Sequence, residues 1–386
     1  MARLPARLSL YRLIAMRRAA IPVLMVLALV ASACSDDDDA DLTTPTDAGT
    51  VTAGEPFPDE RCQENRDAGT ITYLSGFDFA ASASIVEVLV AEERGYFEAL
   101  CLDVELTPSF STANYQPVAG GDAQFASGGS FSEVVSYATS NEADLVALAV
   151  EGRTPIDVLM LKPDAAATLE DLEGTTIGIK GKLNASVAAM LAKAGLEEEA
   201  DFDTVLLDGF DPLVHMEIPS IVGVPGYRSN EPGQLERADV DFEVFDPADF
   251  DVPGSFGVIF SSAEFVNEHP TATQDFMRAS MRGLADAIDD PDAATAIAVE
   301  LINGNDNPNF LSPEGEEFRW RVESELVAGT AELPAGVIDP DLLQAEVDAY
   351  ADVGMFGDET PDLEGTYVDV LTEVYADDGT VIWPSG

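Results

Sequence analysis

Residues 71–106, ITYLSGFDFAASASIVEVLVAEERGYFEALCLDVEL, carry the reading that decides the fold. An apolar run over 71–74 has strand character and stops at Ser75-Gly76, a loop too polar to continue it. Ser84 with Glu87 three residues later reads as a capping box, and Ile85, Val88 and Leu89 follow at helical spacing. Arg94 falls in the last turn and Gly95 just past it, a common helix stop. A second strand covers 102–106, so the stretch predicts a β-α-β unit with parallel strands and a right-handed crossover. Open α/β sheets take ligands at the carboxyl ends of their strands. There this chain places Phe77, Asp78 and Phe79.

Toward the amino terminus, Arg3, Arg7, Arg12, Arg17 and Arg18 flank or precede an apolar run over 21–30. That run is about half of the ~20 residues a spanning helix needs. Ala31-Ser32-Ala33 followed by Cys34 resembles a bacterial lipobox with alanine where leucine is usual. The expectation is a lipoprotein signal peptide over 1–33 and a lipidated Cys34 that anchors the chain outside the cytoplasm, with an ordinary cleaved signal as the plainer reading. Residues 34–68 include Asp36, Asp37, Asp38 and Asp39, lack apolar periodicity and read as a disordered acidic tether.

Composition narrows the function. The formal charge is −53, and removing the signal leaves 14 basic against 72 acidic residues, or −58. Nucleic-acid binding needs a basic footprint and is excluded. With 46% apolar residues in regular patterns, the charge reads as a solvated surface over a packed core, suited to salt that screens self-repulsion. Of three cysteines, Cys62 and Cys101 precede the two opening strands and would meet at the amino edge of a parallel pair. An exported chain permits a disulfide there; two free thiols are the alternative.

Beyond the opening unit, Thr112, Asn114 and Tyr115 sit in a polar loop at the same sheet edge. A strand over 123–126 ends in Ser127-Gly128-Gly129-Ser130. Ser130 with Glu133 reads as the cap of the next helix, whose first N–H groups would face the cleft and bind anions or carbonyl oxygens. Strands follow at 145–150 and 156–161, with Lys162-Pro163 as the crossing to a second lobe. There a strand over 175–179 leads to Gly181-Lys182-Leu183-Asn184-Ala185-Ser186 before a helix. All four lysines lie between Lys162 and Lys193, so Lys180 and Lys182 either meet an anionic ligand or offset an acidic surface. Asp208 and Phe210 end a strand over 204–207; Tyr227, Asn230 and Glu231 follow one over 218–224. A strand over 256–260 crosses back, and the helices after 311 are expected to pack outside the first lobe. No phosphate loop, H-E-x-x-H, zinc cysteine pairs or G-x-S-x-G turn occurs. His215 has no nucleophile at a recognisable spacing, and His269 beside Pro270 reads as a helix junction, so no catalytic residue and no metal ligand is assigned.

The loop from Phe77 to Phe79 before a helix, Glu93-Arg94-Gly95-Tyr96-Phe97, and Leu102-Asp103-Val104-Glu105-Leu106 together resemble the opening of ABC-importer substrate-binding proteins. The branch resembled takes thiamine-pyrimidine precursors and, more distantly, sulfonates, nitrate or taurine. The resemblance spans roughly residues 70–300, with Cys101 where the family usually has glycine. It implies an α/β, type II periplasmic-binding-protein fold: lobe one over 69–162 with 256–386, lobe two over 163–255, joined by crossing hinge strands. It further implies a monomer without cofactor that hands a small molecule to a permease and its ATPase. Tyr227, Asn230 and Glu231 resemble the tyrosine, asparagine and glutamate segment of the pyrimidine-binding branch. There a carboxylate and an amide pair with a heterocycle edge while aromatics cover its faces. Phe77, Phe79, Tyr115, Phe210 and Tyr227 lie near the candidate loops, with Arg228 alone among arginines. An aromatic heterocycle, pyrimidine-precursor-like or riboflavin-like, is therefore expected over a sulfonate, taurine or nitrate. A pyridoxal-phosphate-dependent pyrimidine synthase is the enzymatic alternative, although its cysteine-rich motif is missing; a scaffold lipoprotein without ligand is the third.

Overall fold

The computed structural model describes residues 49–209, 211–305, 312–357 and 360–385; the signal, Cys34 and Phe210 lie outside them. The chain begins with α1 (Asp59–Asp67), β1 (Thr70–Leu74), α2 (Val86–Glu93), the single turn α3 (Tyr96–Ala99) and β2 (Asp103–Thr107). It continues with α4 (Ser111–Ala119), β3 (Phe125–Gly128), α5 (Phe131–Asn141) and β4 (Leu145–Gly152). A second group holds β5 (Asp157–Leu161), β6 (Thr176–Ile179), α6 (Ala185–Lys193) and β7 (Asp203–Leu206). It also holds α7 (Pro212–Met216), β8 (Gly223–Tyr227), α8 (Glu231–Arg237) and β9 (Glu243–Phe245). Then come β10 (Phe256–Ser262), α9 (Ala263–Glu268), α10 (Pro270–Asp289), α11 (Pro291–Gly304), α12 (Pro313–Val327) and α13 (Pro340–Ala351).

Two five-stranded sheets share one pattern, β2-β1-β3-β10-β4 and β7-β6-β8-β5-β9. The opening β-α-β unit is as expected, with β1 and β2 parallel. In each sheet one strand runs against its neighbours: β10 against β3 and β4, β5 against β8 and β9. These are the two strands that have just arrived from the other lobe. A chain leaving one sheet at its carboxyl, ligand-facing edge enters the next sheet from that same edge, so it must run backwards there.

The first crossing therefore lies at 153–156, because β5 belongs to the second sheet; the expectation at Lys162-Pro163 is corrected. Pro155, which has no N–H to give a ladder, marks the break. The tether is also shorter than expected. Residues 59–67 are helical, and Arg61 Nε reaches Asp275 Oδ2 at 2.7 Å in the core. Asn65 Nδ2 donates to the same oxygen and to the Leu100 carbonyl, both at 2.8 Å. Composition cannot reveal an anchor made 210 residues away. Cys62 on α1 is disulfide-bonded to Cys101, whose φ of 62° lies in the left-handed region that favours glycine.

The capping box expected at Ser84 does not form. Helix α2 starts after Ile85 without a side-chain cap, and Ser84 takes φ 61°. Glu87 turns inward and is fully buried beside Glu151, which accepts the Ser84 N–H at 3.0 Å. Strand β8 covers 223–227 rather than 218–224, which puts Tyr227 on the strand instead of in the turn. Finally, the last helices do more than coat the first lobe. Helix α12 also touches α8, and α13 touches α6. Tyr350 of α13 packs into the second lobe's core with Leu159, Val187 and Leu191.

The first core is built on aromatic stacking: Phe125 and Phe276 lie 4.0 Å apart and nearly parallel, and Phe97 also stacks with Phe276, at 5.1 Å. Helix α10 crosses α2 so closely that a Cβ at Gly283 would fall 2.1 Å from the Glu87 carbonyl oxygen. Among the described residues no helix is long and apolar enough to cross a membrane.

Candidate ligand cleft

The loops after β1 and β2 are zipped together at the cleft. Asp78 N–H donates to the Ser109 carbonyl at 2.7 Å, Ser111 N–H to Gly76 at 2.8 Å, and Phe77 meets Phe110 edge to face at 5.8 Å. Asn114 is wholly buried; its amide nitrogen donates to the Ser75 and Ser127 carbonyls, each at 2.9 Å. It staples the ends of β1 and β3 rather than lining the cleft. Phe79 is likewise in the core, and Tyr115 is buried between Tyr137 and Phe260. Phe77 is half-buried, with the Arg319 guanidinium 5.6 Å over its ring. Thr112 is exposed, and Ser127 is buried with its Oγ 2.5 Å from that of Ser84. Gly128 packs against Phe260 and Val134.

The start of α5 departs from expectation. Ser130 and Glu133 do form the capping box, but every early N–H has an acceptor in the protein. Ser130 N–H donates to Glu133 at 3.4 Å, Phe131 to Ser255 Oγ at 2.9 Å, Ser132 to Glu346 at 3.0 Å and Glu133 to Ser130 Oγ at 3.2 Å. Two of those acceptors are carboxylates. The helix start is closed to an incoming anion, on both hydrogen-bonding and charge grounds.

On the other side, Asp157 opens β5 and stands in register with Tyr227, the last residue of β8. Asn184 Nδ2 and Ser186 Oγ both donate to Asp157, at 2.6 and 2.9 Å, so these two hold a carboxylate. Glu231 accepts the Tyr227 N–H at 2.8 Å and pairs with Lys180 at 2.9 Å. Asn230 accepts from Gln234. Asp208 is exposed and its carbonyl lies 2.9 Å from the buried His215 ring, away from these groups' contacts.

Tyr227 keeps 47% of its surface accessible, yet burial first, then Asp157, Glu133, Glu231 and Tyr115, push its hydroxyl well above the usual tyrosine range. Glu133 and Tyr115 belong to the first lobe and Asp157 and Glu231 to the second, so Tyr227 stands where the two lobes meet. Burial also raises Glu133, against the Ser130 hydrogen bond and the Lys182 charge. Asp157 is pushed up to about 7 by burial, opposed by its Ser186 and Asn184 bonds and reinforced by Glu133 and Glu231. Near neutrality it exists in both forms, able to accept from a ring N–H or donate to a ring nitrogen. Sequence reasoning missed Asp157 and Glu133 as groups near Tyr227. Glu133 had been absorbed by its capping role, and Asp157 is marked only by its place right after the crossing.

Comparison with known proteins fits this geometry. The NMT1/THI5 like family profile matches residues 82–294, more than half of the chain. The chain belongs to the NMT1/THI5-like family. It is 27% identical over 291 residues to the riboflavin-binding protein RibY of Chloroflexus aurantiacus, covering 72% of this chain and 76% of that one. It is 29% identical over 269 residues to the formylaminopyrimidine-binding protein of Halalkalibacterium halodurans, covering 66% and 78%. The periplasmic aliphatic sulphonate binding protein SsuA of Escherichia coli superposes with a TM-score of 0.57 at 11% identity, over 77% of this chain and 91% of that one. That likeness shows the periplasmic-binding-protein fold expected from the sequence, and only the fold.

Proposed function

We propose that this chain captures a flat, neutral nitrogen heterocycle, riboflavin-like or pyrimidine-like, between its lobes and releases it unaltered to an ABC permease and its ATPase. The observation that carries the reading is the cluster of acids around Tyr227 where the lobes meet, with Asp157 beside it in register and Glu231 accepting its N–H. Asp157, Glu133 and Glu231 supply hydrogen-bond acceptors, and the α5 start offers no free N–H to an anion. Sulfonates, taurine and nitrate need donors or uncommitted positive charge, and Lys180 is already paired with Glu231. The two named relatives bind heterocycles, which supports the choice. Export, a lipid on Cys34 and a monomeric state complete the proposal.

Thermal-shift and fluorescence-quenching titrations with riboflavin, formylaminopyrimidine, taurine and nitrate test it. A heterocycle held at about a hundred times its dissociation constant adds ~2.7 kcal/mol of stability, and should be recovered chemically unchanged. Stabilisation by taurine or nitrate alone would reverse the ligand class. An aldimine absorbance band on adding pyridoxal phosphate, or a modified ligand, would replace binding by catalysis.

A further inference from the structure

We propose that Glu323 of α12 is a positioning residue that latches the two lobes together across the cleft, in the empty protein as well as over a ligand, its effect on ligand retention resting on the ligand-binding reading above. Its carboxylate is 3% exposed and takes three hydrogen bonds. Ser82 Oγ at 2.8 Å and Ala83 N–H at 2.7 Å come from the first lobe and share Oε2. Ser229 Oγ, at 2.6 Å on Oε1, comes from the second. Ser229 lies in the turn between Tyr227 and Glu231, so the interlobe bond forms within two residues of both cleft groups.

The asymmetry of these bonds makes the arrangement a latch rather than a plain contact. Helix α12 packs on α10 and α11, and its Glu316 accepts the Ala81 N–H at 2.9 Å, so Glu323 travels with the first lobe. Hinge opening at 153–156 and at the return before β10 would break the Ser229 bond and leave the Ser82 and Ala83 bonds intact. The carboxylate stays aimed at the second lobe, and closure then orders no new side chain on the α12 side. A ligand that engages Tyr227 and Glu231 fixes the turn that carries Ser229, which couples occupancy to closure.

A second contact depends on the same approach. Phe318 of α12 lies against Gly233 of α8, where a Cβ would fall 2.5 Å from the ring, and Arg237 and Arg321 flank that ring at 5.8 and 5.6 Å. Glycine at 233 lets the helices meet; alanine is a wedge in the same seam that touches no ligand-facing group.

The test uses Ser229→Ala and Gly233→Ala in the full chain. Loss of a hydrogen bond to a charged group at a closed seam should raise the riboflavin dissociation rate about tenfold in stopped-flow fluorescence, with association changed less than about twofold. Spin-label distances between the lobes of the ligand-free protein should lengthen in both variants. An unchanged interlobe distance together with an unchanged dissociation rate in Ser229→Ala overturns the latch. Should riboflavin not bind the wild-type chain, the ligand reading fails, while the distance measurement still decides the latch.

Discussion

Replacing Asp157 with asparagine should make the empty protein more stable and the binding protein worse. Burial raises the Asp157 carboxyl from an ordinary 3.8 to about 7, so the folded chain holds its proton more tightly than the unfolded chain does. The stabilisation from this group is complete below about pH 4 and lost as pH climbs through 7. At ~1.36 kcal/mol per unit, the three-unit gap corresponds to about 4 kcal/mol in a dry site. Residual solvent access and the loss of one accepted hydrogen bond, since the amide keeps a single oxygen where the carboxylate serves both Asn184 and Ser186, reduce the expected gain to about 2 kcal/mol. Differential scanning calorimetry of the ligand-free variant should therefore show Tm several degrees above wild type at pH 8, and a gain that vanishes near pH 4. The same variant should bind riboflavin at least about tenfold more weakly, because an acceptor facing the ligand has been exchanged for a donor. A pH-independent loss of stability would refute the reasoning, for it would make Asp157 an ordinary satisfied carboxylate. Unchanged affinity would place it outside the ligand's reach.

Three further outcomes are expected. The disulfide closes a separation of 39 residues, worth about 4 kcal/mol by the chain-entropy account; Cys62→Ser with Cys101→Gly should lose about 3 kcal/mol in urea unfolding, glycine recovering ~1 kcal/mol at a left-handed position. Gly283→Ala puts a methyl 2.1 Å from the Glu87 carbonyl oxygen, and should cost about 2 kcal/mol or more as α10 backs away from α2; an unchanged unfolding midpoint would contradict the close crossing. Asn114→Ala strands the Ser75 and Ser127 carbonyls, and should cost about 2 kcal/mol while weakening heterocycle binding; lost binding at full stability would instead make Asn114 a direct contact.

The opening β-α-β unit was readable because each of its decisions is local: an apolar run, a glycine stop, and a second apolar run that must lie beside the first. The cysteine pair was readable for a related reason, since parallel pairing alone brings two residues that precede adjacent strands to one edge. What failed was whatever depended on partners distant in sequence. Ser84 and Glu87 have the spacing of a cap, but Glu87 is drawn into the core opposite Glu151, and burial followed by their mutual repulsion raises it well above the usual carboxylate range. Asp59 to Asp67 looked like solvated acid until Asp275 supplied a buried partner for Arg61. Asn184 and Ser186 sit where a ligand contact was expected, yet both serve Asp157, whose position depends on where the chain crosses between sheets.

The charge of the chain and the chemistry of its cleft point the same way. A formal charge of −53 sets a negative potential around the molecule, and salt screens it over ~8 Å at physiological strength. An anion approaching the cleft meets that field first, then three carboxyl groups, then a helix start whose N–H groups are spent on Ser255, Glu346 and the capping box. Each stage repels or ignores it. A neutral heterocycle is indifferent to the field and gains from the acceptors, and Asp157, poised near neutrality, matches either a donor or an acceptor on its edge. Under the proposed heterocycle reading, the acids that burial makes costly in the empty protein would select the guest, and relief of that cost on binding would be one source of its affinity.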